Sequence, residues 1–317
     1  NNAWFVDHLV VDGPFTLESW EPQQRFVIRR NERYYQPGLP EVDRIAFQLA
    51  PDKNARLALL RSGQAHLEEF VNPADTAVIE ADPNLRLVTH IPRFFFFVGW
   101  NVSRPLFASK KVRQALTMGI DRQEIIDSIY YGYAELAYSP FPSNLWAQNK
   151  ELEPWPYDPG RAKRLLAEEG WADADGDGVL DRDGQPFSFE LVTNSESQVR
   201  VDLVVMIQEH LRRIGVEVRP RSMEFNALLV PLGEHDFDAV MGALAIDTSL
   251  NTEYFFHTRG IDSSYNWGMY SNPEMDRQIE EANAKIDPLA AKPHYDRMQE
   301  LLHEEVPLTF LYEQQRI

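Results

Sequence analysis

No cysteine occurs among the 317 residues, so disulfides, thiolate-held metals and cysteine nucleophiles are excluded. The longest apolar run, 94–100, falls far short of the roughly 18 residues that suggest a membrane-spanning helix. Positive charge is scarce as well: 31 Lys and Arg stand against 49 Asp and Glu, a formal net charge of -18, with a pI near 4.9. Nothing gathers the basic residues into a phosphate-tracking patch, which argues against nucleic acid and anionic membranes as partners. Catalytic signatures are missing too. Glu209 and His210 adjoin, but no second His stands four residues away as a zinc-protease helix requires, and no Ser occupies a Gly-x-Ser-x-Gly elbow. His210 is therefore expected on a helix surface, and the adjacent Glu280 and Glu281 on a solvated helix face.

What is present suits a folded chain: 44% hydrophobic and 25% charged residues, over a length that fits roughly two domains or one large one. Alternating patterns at 15–17 and 25–30, around the turn 21–24, predict strands, and 42–49 continues them. A short helix is expected over 54–62, stopped by Gly63, and a buried strand over 94–101, where four consecutive Phe are too apolar for an edge. Beyond it, helices alternate with short strands. Val112, Ala115, Leu116 and Gly119 share one helix face; Asp121 with Glu124 forms a capping box ahead of Ile125, Ile126 and Ile129. Val204, Ile207, Leu211 and Ile214 lead through Gly215 into a strand at 216–219. Strands at 237–243 and 307–312 bracket helices marked by Met275, Ile279, Ala282 and Ile286, and by Tyr295, Met298 and Leu302. This alternation indicates an α/β architecture. The chain lacks an initiator Met, starts close to a strand pattern and stops after another, and is expected to be an interior piece of a longer protein.

The stretch 157–184, YDPGRAKRLLAEEGWADADGDGVLDRDG, combines a helix that marks both its ends with an acidic loop. Asp158 caps, Pro159 takes the first helical position, and Gly170 supplies the left-handed stop. Behind it, Asp173, Asp175, Asp177 and Asp181 alternate around Gly178, the layout of a hard-cation loop in which the Val179 carbonyl would also serve. Gly184 stands where such a loop carries a bidentate Glu, and Asp183 is its only neighbouring substitute. The readings are a structural calcium site or a solvated hairpin whose Asp and Gly form turns.

Taken in order, GPFTLESW (13–20), VIRRNERYY (27–35), PEVDRIAFQLAPDKNARLALLRSG (40–63), VGWNVSRPLFASKKVRQALTMGIDRQEII (98–126), the 157–171 helix, HLRRIGVEV (210–218), FDAVMG (237–242) and YNWGMYSNPEMDRQIEEA (265–282) resemble the family 5 extracellular solute-binding proteins, the peptide- and nickel-binding group that feeds ABC importers. The resemblance covers nearly the whole chain. It implies a periplasmic-binding-protein-like type II fold, with residues 1–95 a portion of lobe I, 96–309 lobe II, and 310–317 the start of the return crossover. The segments 94–101 and 307–312 would then run side by side. It also implies a periplasmic or extracellular monomer that needs no cofactor, captures a peptide or oligosaccharide solute in an inter-lobe cleft, closes about a hinge and presents the solute to the permease subunits of its transporter.

Against the pattern of dipeptide-binding relatives, several positions depart. Gly242 is followed by Ala243 rather than Trp; Asp247 reaches the amine-binding position only with a one-residue shift; Leu250 and Asn251 replace an Asp-Pro pair; Asn194 stands at the carboxylate-binding Arg, and His66 at a further Asp. The resemblance therefore implies a solute without an obligatory free carboxylate: a longer or modified peptide held through its backbone, or an oligosaccharide stacked on Trp. The residues expected to bind it are Trp100, Asn101, Asn194, Asp247 and Trp267. Two rivals are a metal-dependent hydrolase built on the acidic loop and a repurposed receptor that has lost its ligand.

Overall fold

The structure, a computed structural model, describes residues 11–262 and 265–317. It divides into two compact units, Asn1–Arg86 and Leu87–Ile317.

In the first unit, β1 (Phe15–Glu21), β2 (Arg25–Arg30) and β3 (Arg44–Gln48) form an antiparallel sheet in that order. The expected turn joins the first two: the Gln24 amide donates to the Glu21 carbonyl at 3.1 Å. Helix α1 (Lys53–Arg61) begins where Asp52 accepts from the Ala55 amide at 2.8 Å, and a short α2 (Thr76–Glu80) follows.

The second unit runs β4 (Phe94–Trp100), α3 (Lys110–Gly119), α4 (Arg122–Tyr130), β5 (Ala134–Leu136), α5 (Pro159–Glu168), the small hairpin β6 (Asp181–Arg182) and β7 (Gln185–Pro186), β8 (Ser188–Asn194), α6 (Gln198–Arg212), β9 (Glu217–Met223), α7 (Phe225–Gly233), β10 (Ala239–Ala245), α8 (Glu253–Phe256), α9 (Pro273–Asn283), α10 (Pro288–Glu305) and β11 (Leu308–Gln314). Six strands make one mixed sheet in the order β5-β11-β4-β10-β8-β9. β8 pairs parallel with β9 and β10, while β4 runs antiparallel between β10 and β11. The segments expected side by side are thus neighbours, with Leu308 opposite Gly99 and Phe310 opposite Phe97.

The run of phenylalanines follows from this central position. Side chains alternate across a strand, so Phe96, Val98 and Trp100 enter a core shared with α3, α4 and α6, whereas Phe95 and Phe97 enter a second core shared with α7, α9 and α10. Both sheet faces are covered, and an apolar residue is needed at every position.

The caps are realised: Asp158 accepts from the Arg161 amide at 2.7 Å and Asp121 from the Glu124 amide at 2.9 Å. Glu124 does not return the bond as a capping box would. Its carboxylate instead meets His210 Nε2 at 3.0 Å, and His210 is buried rather than on the helix surface. Gly215 (φ +82) ends the turn after α6, where a Cβ would come within 2.7 Å of the Leu180 side chain. Ile286, expected on the apolar face of α9, lies beyond its end and is wholly exposed. Strand β8 and helix α7 were not expected. The alternation of Phe187, Phe189 and Leu191 could have shown the first, while Pro231 inside α7 conceals the second.

Candidate functional site

The strands β8, β9, β10 and β11 run in one direction, so their carboxyl ends share an edge with the start of β4: Asn194 lies opposite Met223, and Ala245 opposite Phe94. In open α/β sheets, ligands bind outside the carboxyl ends of the strands. Two of the expected solute-binding residues are here. Asn194 closes β8 and is buried; Asp247 follows β10 directly and is exposed.

Both are held by specific contacts. Asn194 Nδ2 donates to Glu196 Oε2 at 3.2 Å, and its Oδ1 accepts from Arg200 Nη1 at 2.7 Å. Arg200 lies in the first turn of α6, its guanidinium carbon 5.8 Å from the centroid of the Phe96 ring. Behind it Phe96 stacks on Tyr312 at 4.6 Å, and the Tyr312 and Tyr130 hydroxyls share a hydrogen bond of 2.8 Å. Burial pulls the Arg200 guanidinium below its ordinary value, partly offset by the two tyrosines. Asp247 accepts from Ser249 Oγ at 2.7 Å and from the Asn251 amide at 3.4 Å, and the serine bond leads in holding its carboxyl below the usual range.

Trp100, Asn101 and Trp267 are elsewhere. Trp100 pairs with Ala239 at the opposite, amino-terminal end of β10. Ala245 is six residue steps along the strand from Ala239, or roughly 20 Å at 3.3 Å per residue. The Trp100 ring is fully enclosed between Phe107 and Phe189, and its Nε1 donates to Thr309 Oγ1 at 3.0 Å. Asn101 is equally buried, with its Nδ2 donating to the His235 and Phe237 carbonyls and its Oδ1 accepting from Ser103. These two side chains present no surface to a solute and act as core anchors. Trp267 is half-buried beside them, lining an apolar cavity of about 30 Å³ with Phe97, Val240 and Leu308. That is room for a few waters, not for a peptide. The expected set therefore splits between two ends of the sheet, and Arg200, hidden from sequence reasoning by its place inside an amphipathic helix, joins Asn194 instead.

The acidic loop lies at the amino-terminal end of β8 and β9: Leu180 donates to the Gly215 carbonyl at 2.8 Å and accepts from the Phe187 amide at 2.7 Å. Asp173, Asp175 and Asp177 are exposed, and one oxygen from each lies within 4.8 Å of the others. Asp173 accepts from the Gly176 and Gly178 amides at 2.8 and 3.1 Å, and Asp177 from the Val179 amide at 2.8 Å. Asp181 belongs to β6, where its backbone bridges to Ala172. Among the described residues no other three metal-capable side chains converge. Among the described residues no histidine joins the trio, and the Asn194 edge is at the other end of β8.

Residues 1–266 match the sequence profile of the bacterial extracellular solute-binding proteins, family 5. The chain is similar to the oligopeptide-binding protein AppA of Bacillus subtilis, 35% identical over 95% of this chain and 56% of that protein. It is also similar to the glutathione-binding protein GsiB of Salmonella typhimurium, 27% identical over 95% of this chain and 58% of that protein. It thus spans under three fifths of the length of these relatives. The solved structure of B. subtilis AppA in complex with a nonapeptide superposes with a TM-score of 0.77 at 34% identity, covering 96% of this chain and 61% of that one. NikA from Brucella suis, in complex with Fe(III)-EDTA, shares the fold with a TM-score of 0.81 at 22% identity, over 96% and 62%. These neighbours bear out the type II periplasmic-binding-protein-like α/β fold, and the chain belongs to the family 5 bacterial extracellular solute-binding proteins.

Proposed function

We propose that this chain is part of the solute receptor of an ABC importer, a non-enzymatic, monomeric protein that captures an oligopeptide-like solute and delivers it to a membrane permease from the periplasm or the extracellular face of the envelope. The observation that carries the reading is the 35% identity to a relative named as oligopeptide-binding, over nearly the whole chain. Asp247 at the carboxyl edge of the sheet supports it, because it is exposed and offers an ionised carboxylate to an amine. The hydrolase alternative has less support, since among the described residues no histidine joins the acidic trio, which lies at the other end of β8. Calorimetry on the full-length protein with dipeptides, longer peptides and β-linked oligosaccharides tests the reading: peptides bind, and binding of oligosaccharides alone overturns it in favour of a sugar receptor of the same family.

A second, separate reading concerns the loop. Its three converging carboxylates would hold a hard cation such as Ca²⁺ as a structural ion, with the Val179 carbonyl and Asp181 completing part of the shell. The convergence supports this reading, because three anionic oxygens within 4.8 Å repel one another without a counter-charge.

A further inference from the structure

One serine serves two acids near the end of β11. Glu313 lies there, 1% exposed, with its Oε1 buried and unbonded. Its Oε2 accepts from the Ser143 amide at 2.8 Å. Glu135 on β5 stands directly opposite in register, and its Oε2 accepts from the Ser143 hydroxyl at 3.0 Å. Like charges opposed across a strand pair repel, and a buried carboxylate with an open oxygen has exchanged water for too few bonds. The other groups around Glu313 bring no relief. Tyr138, its hydroxyl pushed up by burial and then by the Glu313 charge, stays neutral, and β4 on the far side of β11 opens with four phenylalanines.

Ser143 belongs to the irregular stretch 138–149. Its neighbour Asn144 donates Nδ2 to the Ile91 carbonyl at 2.8 Å, and the Leu145 amide closes a turn on the Pro142 carbonyl at 2.9 Å. The two bonds of Ser143, to Glu313 and Glu135, fasten this turn to the sheet. Opposing effects act on the buried acid. An ionised Glu313 would grip the Ser143 amide more tightly, because charged acceptors form the stronger hydrogen bonds. Burial acts the other way and prevails: with Glu135 adding to it and Ser143 opposing, it pushes the carboxyl up to about 7. Ionised in place, Glu313 therefore loses more to desolvation than the serine returns. Swung out to water it recovers its hydration, and the Ser143 amide is released.

We propose that Glu313 is a proton-operated latch: with its proton it holds the turn at Ser143 against β11, and on losing the proton it leaves for water and lets the turn open. The closed form keeps the proton more tightly than the open form, so opening is favoured as pH rises. The gap between the ordinary 4.5 and about 7 corresponds to a rise of up to about 300-fold in the opening equilibrium. The latch stands at the carboxyl end of β11, on the edge where Asp247 follows β10. Only the meaning of that position, a pH-dependent lip beside the solute, rests on the receptor reading.

The test is hydrogen–deuterium exchange of the full-length protein, read by mass spectrometry from pH 5 to 8 and corrected for the intrinsic rise of exchange with pH. Peptides across 138–146 lose protection by about 70-fold over that range. The loss is indifferent to low urea, because a local opening exposes little surface. Glu313→Gln, which keeps the protonated shape without titrating, holds the same protection at pH 5 and 8, and Glu135→Gln makes the loss smaller. Protection of 138–146 that is independent of pH in the wild type overturns the proposal, and needs no variant to fold. So does a loss as sensitive to urea as the exchange of β4, since the turn then opens only with the whole unit.

Discussion

The indole nitrogen of Trp100 donates to the hydroxyl of Thr309 at 3.0 Å, tying β4 to β11 across 209 positions of sequence. The same hydroxyl meets that of Thr117 on α3, so one buried oxygen joins two strands and a helix. Replacing Thr309 with Val keeps the shape and leaves the Trp100 donor unsatisfied, while Thr117 keeps its bond to the Arg113 carbonyl. The expected cost is about 1–3 kcal/mol, the desolvation of an orphaned donor. Urea unfolding followed by tryptophan fluorescence reads it, and Thr309→Ser, which keeps the hydroxyl, should recover most of the loss.

Gly268 sits against the backbone of Trp100, where a Cβ would stand 2.6 Å from the carbonyl oxygen. Val102 meanwhile donates to the Gly268 carbonyl at 2.9 Å, so neither strand of chain is free to withdraw. Gly268→Ala is expected to destabilise by about 1–3 kcal/mol through overpacking. A melting temperature equal to that of the wild type would show that the contact relaxes freely.

Glu313 gives the second unit a pH dependence of unusual sign for a carboxylate. It is buried on β11, where its Oε2 accepts from the Ser143 amide at 2.8 Å and its Oε1 has no partner. Burial, with the cross-strand Glu135 adding to it, pushes the carboxyl up to about 7. The folded state therefore holds the proton more tightly than the unfolded state does, and stability falls as pH rises from the ordinary 4.5 through about 7. At 1.36 kcal/mol per pKa unit the loss is roughly 3 kcal/mol. Glu313→Gln should match the wild type near pH 4 and exceed it at pH 8, in unfolding curves taken across that range; parallel curves at every pH would show that Glu313 is not the titrating group.

Calcium should raise the melting temperature after chelation and dialysis, by mass action on the folded loop. Asp175→Asn, which removes one of the three converging charges while keeping an oxygen, should weaken that response. A melting curve indifferent to millimolar calcium in the wild type would leave the loop as a turn whose carboxylates serve the Gly176, Asp177, Gly178 and Val179 amides.

Much of the scaffold could be read from the chain because its signals are local. Asp52, Asp121 and Asp158 cap the helices they precede, since a cap needs only the next three residues. Four consecutive phenylalanines read as a two-sided buried strand, since each face of a strand is fixed by its own alternation. Ordered motifs along most of the length were enough for the family.

The site was not local, and there the chain alone misled. Trp100 and Asn101 adjoin the strand that carries the family signal, yet their polar atoms are consumed by Thr309, His235 and Phe237, partners more than a hundred positions away. Glu124 belongs to a capping pattern, but three-dimensional proximity to His210 claimed its carboxylate. Arg200 carries no motif: it is one polar residue among others on α6, and its surroundings arise only when β8 and β4 bring Asn194 and Phe96 to it. Sequence sets propensity and periodicity, which act over a few residues. Which polar group is left without a partner depends on every chain segment that folds against it, and so is settled only by the tertiary structure.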